Sequence, residues 1–557
     1  MTIAGRIGEA LFLLALVAAP WPFGAAPDAA AFALWSAVPI AGGLAIVSGA
    51  VTIRWMPFAL PFLALVQLVF GRTASPVRTG EAFLALAALA VAFLLASQSD
   101  RSRANRLVIA ILFVTAAQAI FGAVQWSFGP SRIYGRSRVD ISMPFGSFVN
   151  HNHFAGFVEM AALLALGLAI GHARRAREAT PATLGWGGLS LGLLLAHLAS
   201  RSRGGLVALA AGVVAILSTY AGSTRKRQGS RGLALAGVSA LIVIGFALLA
   251  VAPDAMGRLG RLLGPGDLSA SYRLDTAKAT LRLFAAQPGF GWGLGAFADT
   301  VTMFKLAHGD VRITHAESDV LEWLAETGVV GVTLLVFLAL LATRRIAQNL
   351  RDAPDPLSKG RTIGAFSAVV ALAVHSLFDF NLHVPANALL FATLLGLACV
   401  EAPGQGAHAF PRSLAVAFLL VALGLAAGWR SWGAVQLARA LEPRDPQERI
   451  ARLDTTLAGH PYLAEALRMR GVLWRDLGGT GPLQAARLRR AQADLEASIR
   501  LRPYDAESWA NLAWVEAMCE NWRAARRHID QAAAVDPTHS GIRLYQKELI
   551  ARMSQKP

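Results

Sequence analysis

The chain has 557 residues, 55% of them hydrophobic, with a formal net charge of +17 and a mean hydropathy of +0.48. This excludes an ordinary soluble domain. The positive charge is scattered through short loops between apolar runs, which fits a membrane protein with basic cytoplasmic loops rather than a nucleic-acid-binding surface.

Apolar runs near twenty residues read as transmembrane helices, because hydrocarbon offers backbone amides no partner outside the helix. About thirteen such runs occur. Their centres lie near Leu14, Ala41, Leu63, Leu89, Thr115, Leu163, Leu191, Val213, Ile242, Leu335, Val370, Leu394 and Val421. The third and twelfth are short. The expected fold is therefore an all-α polytopic membrane protein of about 12–13 transmembrane helices. Gly8 to Pro20 has the look of a signal-peptide core, but no convincing cleavage site follows and further spans do, so it reads as the first retained helix. Cys399 and Cys519 are far apart and lack metal-ligand spacing, supporting neither a disulfide framework nor a zinc site.

With the N-terminus in the cytoplasm, the even loops hold Arg101, Arg103 and Arg106, then Arg174, Arg175 and Arg177. Arg225, Lys226, Arg227 and Arg231 follow, then Arg344, Arg345, Arg351, Lys359 and Arg361. Counting Arg6, Arg54 and Arg412, that side carries roughly eighteen Lys/Arg against roughly seven in the short odd loops. The long loop 253–324 is left out, since long loops translocate regardless of charge. This orientation puts four polar segments on one outer face, the arrangement expected of a single site assembled from several loops.

The first is "FGSFVNHNHFAGFVEM", Phe145 to Met160. Asn150, His151, Asn152 and His153 either cap the sixth span or form a neutral hydrogen-bonding ledge at its mouth. Glu159, about two turns into that helix, is costly in lipid and is expected to face a cavity. The second is "SRSRGGLVAL". Arg201 and Arg203 read either as interfacial anchors or as guanidinium forks for an anion such as a diphosphate, and Gly204–Gly205 permits close approach of a backbone or ligand.

The long loop contains "SYRLDTAKATLRLFAAQPGFGWGLGAF". Its start predicts an amphipathic helix with Leu274, Ala277, Leu281 and Phe284 on one face and Arg273, Lys278 and Arg282 above a membrane surface. Gly289, Gly291, Gly293 and Gly295 lack the strand and βαβ context of a dinucleotide fingerprint. They read as a flexible turn held to the interface by Phe290, Trp292 and Phe297. In "THAESDVLEWLAETGVVG", Thr314 and Glu317 form a capping-box pattern, predicting a helix from His315 to about Gly328. A neutral imidazole at that helix start is a candidate general base, alongside the plainer reading of polar surface. "HSLFDFNLHVPAN" gathers His375, Asp379, Asn381 and His383 ahead of a helix starting at Pro385. It reads as a hydrogen-bonding rim, since no two-His-one-carboxylate metal spacing is present.

From about Trp432 the composition turns soluble and helical. Pro461, Pro503 and Pro537 are 42 and 34 residues apart. The second interval equals the tetratricopeptide period, and the first fits if about eight residues around "GGTGPLQA" are an insertion. Within the second, Trp509, Leu512, Ala513, Ala525, Ile529, Ala532 and Pro537 occupy the repeat's packing positions. The chain therefore divides into a membrane domain, 1–430, and a tetratricopeptide-like domain, 431–557, on the outer side.

Taken together, the segments "FGSFVNHNHFAGFVEM", "SRSRGG", "PGFGWGLGAF", "THAESDVLEWLAETGVVG" and "HSLFDFNLHVPANALLFATLLGL" resemble the O-antigen polymerase and ligase family of bacterial membrane glycosyltransferases, over residues 145–397. The resemblance implies a large periplasmic loop and an inner-membrane location. It also implies transfer of a glycan from an undecaprenyl-diphosphate carrier to an acceptor hydroxyl on a glycan, a lipid core or a protein, with no metal ion, cofactor or nucleotide sugar. By position, Arg203, Arg273 and His315 match the family's active-site residues, with Arg201 a neighbouring arginine. Asn150, His151, Asn152, His153, Glu159, His375, Asp379, Asn381 and His383 would contact substrate. The tetratricopeptide tail implies a periplasmic protein partner. A transporter or flippase of lipid-linked glycans is the alternative, and it predicts charged residues buried along a midplane path.

Overall fold

In the computed structural model, which describes residues 2–128, 132–134, 136–137, 145–224, 268–306, 309–400 and 414–554, the apolar runs fold as helices. These are α1 (Ile3–Ala18), α2 (Asp28–Val47), α3 (Ala59–Val69), α4 (Pro76–Ser97), α5 (Arg101–Phe128), α6 (His151–Ala176), α7 (Pro181–Ala199) and α8 (Arg203–Thr224). There follow α9 (Leu268–Ala286), α10 (Asp319–Asp352), α11 (Pro356–His375), α12 (Pro385–Ala398) and α13 (Leu414–Ala440). The C-terminal helices are α14 (Pro446–Gly459), α15 (Ala464–Asp476), α16 (Gly481–Leu501), α17 (Ala506–Met518), α18 (Trp522–Val535) and α19 (Ser540–Ser554).

Among the described residues, 9 helices are long and apolar enough to cross a membrane, with shorter apolar helices at Met56–Val69 and Pro385–Ala398. Apart from a two-residue antiparallel pairing of Arg132–Ile133 with Arg136–Ser137, the described regular structure is helical. The chain is an all-α, multi-pass membrane protein. The expected span near Ile242, the basic residues Arg225, Lys226, Arg227, Arg231 and Arg412, and the long loop before Leu268 lie outside the described residues.

The chain packs as two units, one of Met1–Leu60, Ala85–Asp267 and Leu334–Ala427, the other of Pro61–Leu84, Leu268–Thr333 and Gly428–Pro557. In the first, small residues set the helix contacts. Gly167 and Gly171 on α6 face Gly360 and Gly364 on α11. A Cβ added at Gly167 would lie 2.5 Å from the Gly360 carbonyl oxygen, and one at Gly364 2.9 Å from that of Leu164. In lipid, helices associate through such close backbone approach, because apolar side chains gain nothing by leaving the tails. This contact fixes the register of α6 and α11 and hence of the polar residues they carry.

The second unit contains the glycine run, and here the structure corrects the sequence reading. The turn is tightly built rather than flexible. Trp292 N donates to Ala325 O at 3.1 Å and Gly293 N to Glu326 O at 2.9 Å. Gln67 closes the far side: its Nε2 donates to Phe290 O and Glu326 O, and its Oε1 accepts from Leu294 N. Phe297 is 1% exposed, so it is a core residue and no interface anchor. A Cβ at Gly293, whose φ is +105°, would stand 2.2 Å from Thr73 Oγ1. Gly293→Ala is therefore expected to cost about 1–3 kcal/mol by thermal unfolding in detergent. Gly289→Ala, which meets nothing within 4 Å, is the near-neutral control.

Helix α9 packs on the protein through the face away from the apolar stripe expected at the membrane surface. Thr276, Ala279, Thr280 and Leu283 are buried, whereas Leu274 and Leu281 are 57% and 49% exposed. Its buried residues join Val301, Ile313, Ala316 and Ala325 in one core. In the C-terminal helices, Leu512 packs with α16 and Ala513, Ala525, Ile529 and Ala532 pack with α19. The longer proline interval is taken up by α16, whose 21 residues compare with 14 in α14 and in α18.

Candidate functional site

Asn150 caps α6, its side chain accepting from Asn152 N at 2.8 Å. The rest of the Asn/His run turns toward the loop after α11. Asn152 Nδ2 donates to Asp379 Oδ2 at 2.6 Å, and His153 Nε2 lies 3.2 Å from Asp379 Oδ1, which also accepts from Phe380 N. Asp379 is buried, which raises its pKa, but His153 and these N–H donors outweigh burial and hold it at about 2. Asn387 Nδ2 bridges His153 O and Asn381 Oδ1. His375 and Asn381 are fully buried, His151 is half-buried and His383 exposed. The "HSLFDFNLHVPAN" segment thus locks onto the start of α6 through Asp379 and Asn387.

One turn deeper, Glu159 lies fully buried between two imidazoles. Its Oε1 is 3.1 Å from His375 Nδ1 and its Oε2 is 3.6 Å from His197 Nδ1. An unpartnered carboxylate in a membrane bundle is very costly, and the hydrogen bond from the His375 ring relieves it. The network continues from His375 Nε2 to Ser202 Oγ at 3.5 Å, and Ser202 Oγ accepts from Gly205 N. What comes close at Gly205 is therefore these rings: a Cβ there would lie 2.8 Å from His197 Cε1 and 3.2 Å from His375 Cε1. Arg201, at φ +57°, lies over the Trp126 ring at 5.8 Å. Arg203 opens α8 and is exposed.

Glu159→Ala is expected to leave the buried His375 Nδ1 without its hydrogen-bond acceptor, lowering stability by about 1–3 kcal/mol. Glu159→Gln, which keeps a hydrogen-bonding group of equal size, should lose less. Thermal unfolding of the detergent-solubilised protein measures both.

The second unit brings two of the three sequence-selected residues together. Arg273 Nε on α9 is 3.6 Å from Glu317 Oε2, and His315 Nδ1 is 3.2 Å from Glu322 Oε1. The other oxygen of Glu322 accepts from Ala316 N at 2.8 Å. His315 does not start a helix, contrary to the capping-box pattern. Glu317 has φ +57°, a left-handed backbone that cannot be a helical residue. The cap is Ser318 instead: its Oγ accepts from Leu321 N at 3.4 Å, its carbonyl accepts from Glu322 N, and α10 begins at Asp319. The expected end at Gly328 is a break inside α10, at φ 61° and ψ −162°. His315 is therefore oriented by the buried Glu322 rather than by a helix dipole. The carboxylate favours the tautomer with the proton on Nδ1, which puts the ring's lone pair on Nε2. His315 can then accept a proton while Glu322 stabilises the charge.

Sequence reasoning missed Glu322, His197 and Gln67. His197 carried the clearest signal, as a lone histidine in an apolar span. Glu322 read as an ordinary helix carboxylate, and nothing near Gln67 in the chain indicates its partners.

No curated protein matches the chain closely enough to count as a relative. Residues 188–336 match the family model described as O-Antigen ligase, a stretch holding Arg201, Arg203, Arg273, His315 and Glu322. That match supports a membrane enzyme of the O-antigen ligase kind, one that transfers glycans.

Proposed function

We propose that the protein transfers a glycan from an undecaprenyl-diphosphate carrier to an acceptor hydroxyl at the outer face of the bacterial inner membrane, with its N-terminus in the cytoplasm. The observation that carries this reading is the His315–Glu322 pair, set beside Arg273–Glu317 inside the matched stretch. Arg203 and Arg273 bind the diphosphate and stabilise it as it leaves. His315 takes or orients the acceptor proton. Diphosphate departs readily as an anion, so the reaction calls for no acid; that it uses no metal ion or nucleotide sugar is what the family resemblance implies. Arg201, Asn150, His151, Asn152 and His383 line the approach of the sugars. His153, Glu159, His375, Asp379 and Asn381 shape it from beneath. Residues 431–557 form tetratricopeptide-like repeats in the periplasm.

The test compares glycans in cells with and without the protein. Loss of long chains indicates a polymerase. Loss of attachment with lipid-linked chains retained indicates a ligase to a lipid core or protein. Unchanged attachment and length would overturn the reading. Glu159, buried between two histidines, favours a flippase as the second reading. Transfer by purified protein in detergent, where there is no membrane to cross, separates the two.

A further inference from the structure

The segment 299–313 and the C-terminal helices belong to one packed unit, joined by buried charges. The Lys305 side chain is 0% exposed. Its Nζ donates to the carbonyls of Gly309 (2.6 Å) and Val311 (3.2 Å) and to Asp536 Oδ2 (3.0 Å). Asp299, 2% exposed, pairs with Arg502 and accepts from Ser75 Oγ at 2.9 Å. Burial pushes the Asp299 carboxyl up, but the Arg502 guanidinium prevails and holds it below the usual carboxylate range. Asp310 receives two bonds from Ser540, from its N at 2.6 Å and its Oγ at 2.7 Å. Removing one member of the Lys305–Asp536 or Asp299–Arg502 pair strands the other in a low dielectric, so these two ties resist opening, while the Asp310–Ser540 tie lies at the surface.

This segment runs straight into the proposed chemistry. Ile313 and Ala316, which flank His315 closely, are 0% and 2% exposed and pack with Ala279 and Leu283 of α9 and Ala325 of α10. Arg273 is carried by α9 and Glu322 by α10. One close-packed block therefore carries the three groups and the charged ties, and packed blocks move as wholes rather than bending.

We propose that the C-terminal helices take residues 299–306 and 309–313 of their own chain as a ligand, and that the ties at Lys305, Asp299 and Asp310 make Asp536, Arg502 and Ser540 positioning residues for His315, Glu322 and Arg273. The proposal rests on the transfer reading given above. It makes the tail part of the enzyme.

The test uses the purified full chain with Cys519→Ser, and lipid-linked glycans extracted from cells lacking the protein as donor. A loosened form carries Arg502→Met and Asp536→Asn. A re-tied form adds Asp310→Cys and Ser540→Cys, at side chains already in contact, with the disulfide verified on a non-reducing gel. The loosened form is expected to be cut by protease between Asp299 and Ile313 and to lose about tenfold or more in kcat, since small misplacements of catalytic groups act on the chemical step, with donor KM rising as well because Arg273 holds the diphosphate. Oxidising the re-tied form should restore both protection and turnover, and reduction should reverse that. The proposal is overturned if the loosened form stays uncut, if it is cut yet turns over like the parent, or if the disulfide restores protection without turnover. His315→Ala measured alongside separates the two failures. An active His315→Ala removes the transfer reading, whereas an active loosened form beside an inactive His315→Ala removes the positioning role.

Discussion

His315→Ala is expected to cut glycan turnover by about a hundredfold to ten-thousandfold, the usual worth of general-base help, while lipid-linked donor still binds. Glu322 is what makes His315 a base. Its carboxylate is 3% exposed and lies 3.2 Å from Nδ1, while the imidazole itself is 29% exposed, so a buried carboxylate orients a ring that solvent still reaches. Accepting a hydroxyl proton makes an imidazolium, which the buried carboxylate stabilises as the aspartate of a catalytic triad does. Glu322→Gln should therefore also slow turnover, by less than loss of the ring. Gln at 315 can orient a hydroxyl but hardly take its proton: an inactive variant indicates a base, an active one positioning. If His315→Ala in purified protein turns over like the parent with chelator present, the assignment fails, and the catalytic group lies around His375 to His383.

Arg203→Ala and Arg273→Ala should each abolish transfer while protein levels stay near normal. Both side chains are exposed, and exposed substitutions usually change stability by no more than about 0.5 kcal/mol, so a loss of activity cannot be blamed on misfolding. Arg273 is already oriented by Glu317 at 3.6 Å, which aims its guanidinium without neutralising it deeply, as the pair is largely solvated. Lysine keeps the charge but loses the planar fork that grips two phosphate oxygens, so it should rescue only in part. Transfer rates at saturating donor, read beside protein level on a blot, check this. Full activity in both alanine variants would show that these arginines only anchor the chain at the interface.

Arg201, Arg203 and His315 stood out in the sequence because each breaks a local rule: charge at the mouth of an apolar span, or polarity where a loop enters a helix; Arg273 was singled out by the family resemblance alone. Their settings were less legible. Thr314 and Glu317 have the spacing of a capping box, but the same residues suit a turn. Only the left-handed backbone at Glu317, imposed by the packing of Ile313 and Ala316 into the core, shifts the cap to Ser318. The glycine run looked flexible because glycine alone has no contacts to read. Its rigidity comes from Gln67 and Thr73, more than two hundred residues earlier in the chain.

The all-helical membrane fold and the approximate placing of its spans were determined by the sequence alone, because hydropathy is a local property and lipid permits an apolar backbone little besides a helix. Each described span centre falls within a helix. The tertiary structure alone decided which carboxylate faces which imidazole. Glu159 meets His375 across 216 residues, and that pairing follows from the glycine contact between α6 and α11. His315 meets Glu322 because the turn at Ala316–Ser318 brings it back against the first turn of α10. Polar partners in a low-dielectric interior are chosen by whole-chain packing, since a buried charge must find its counterpart wherever the fold brings one.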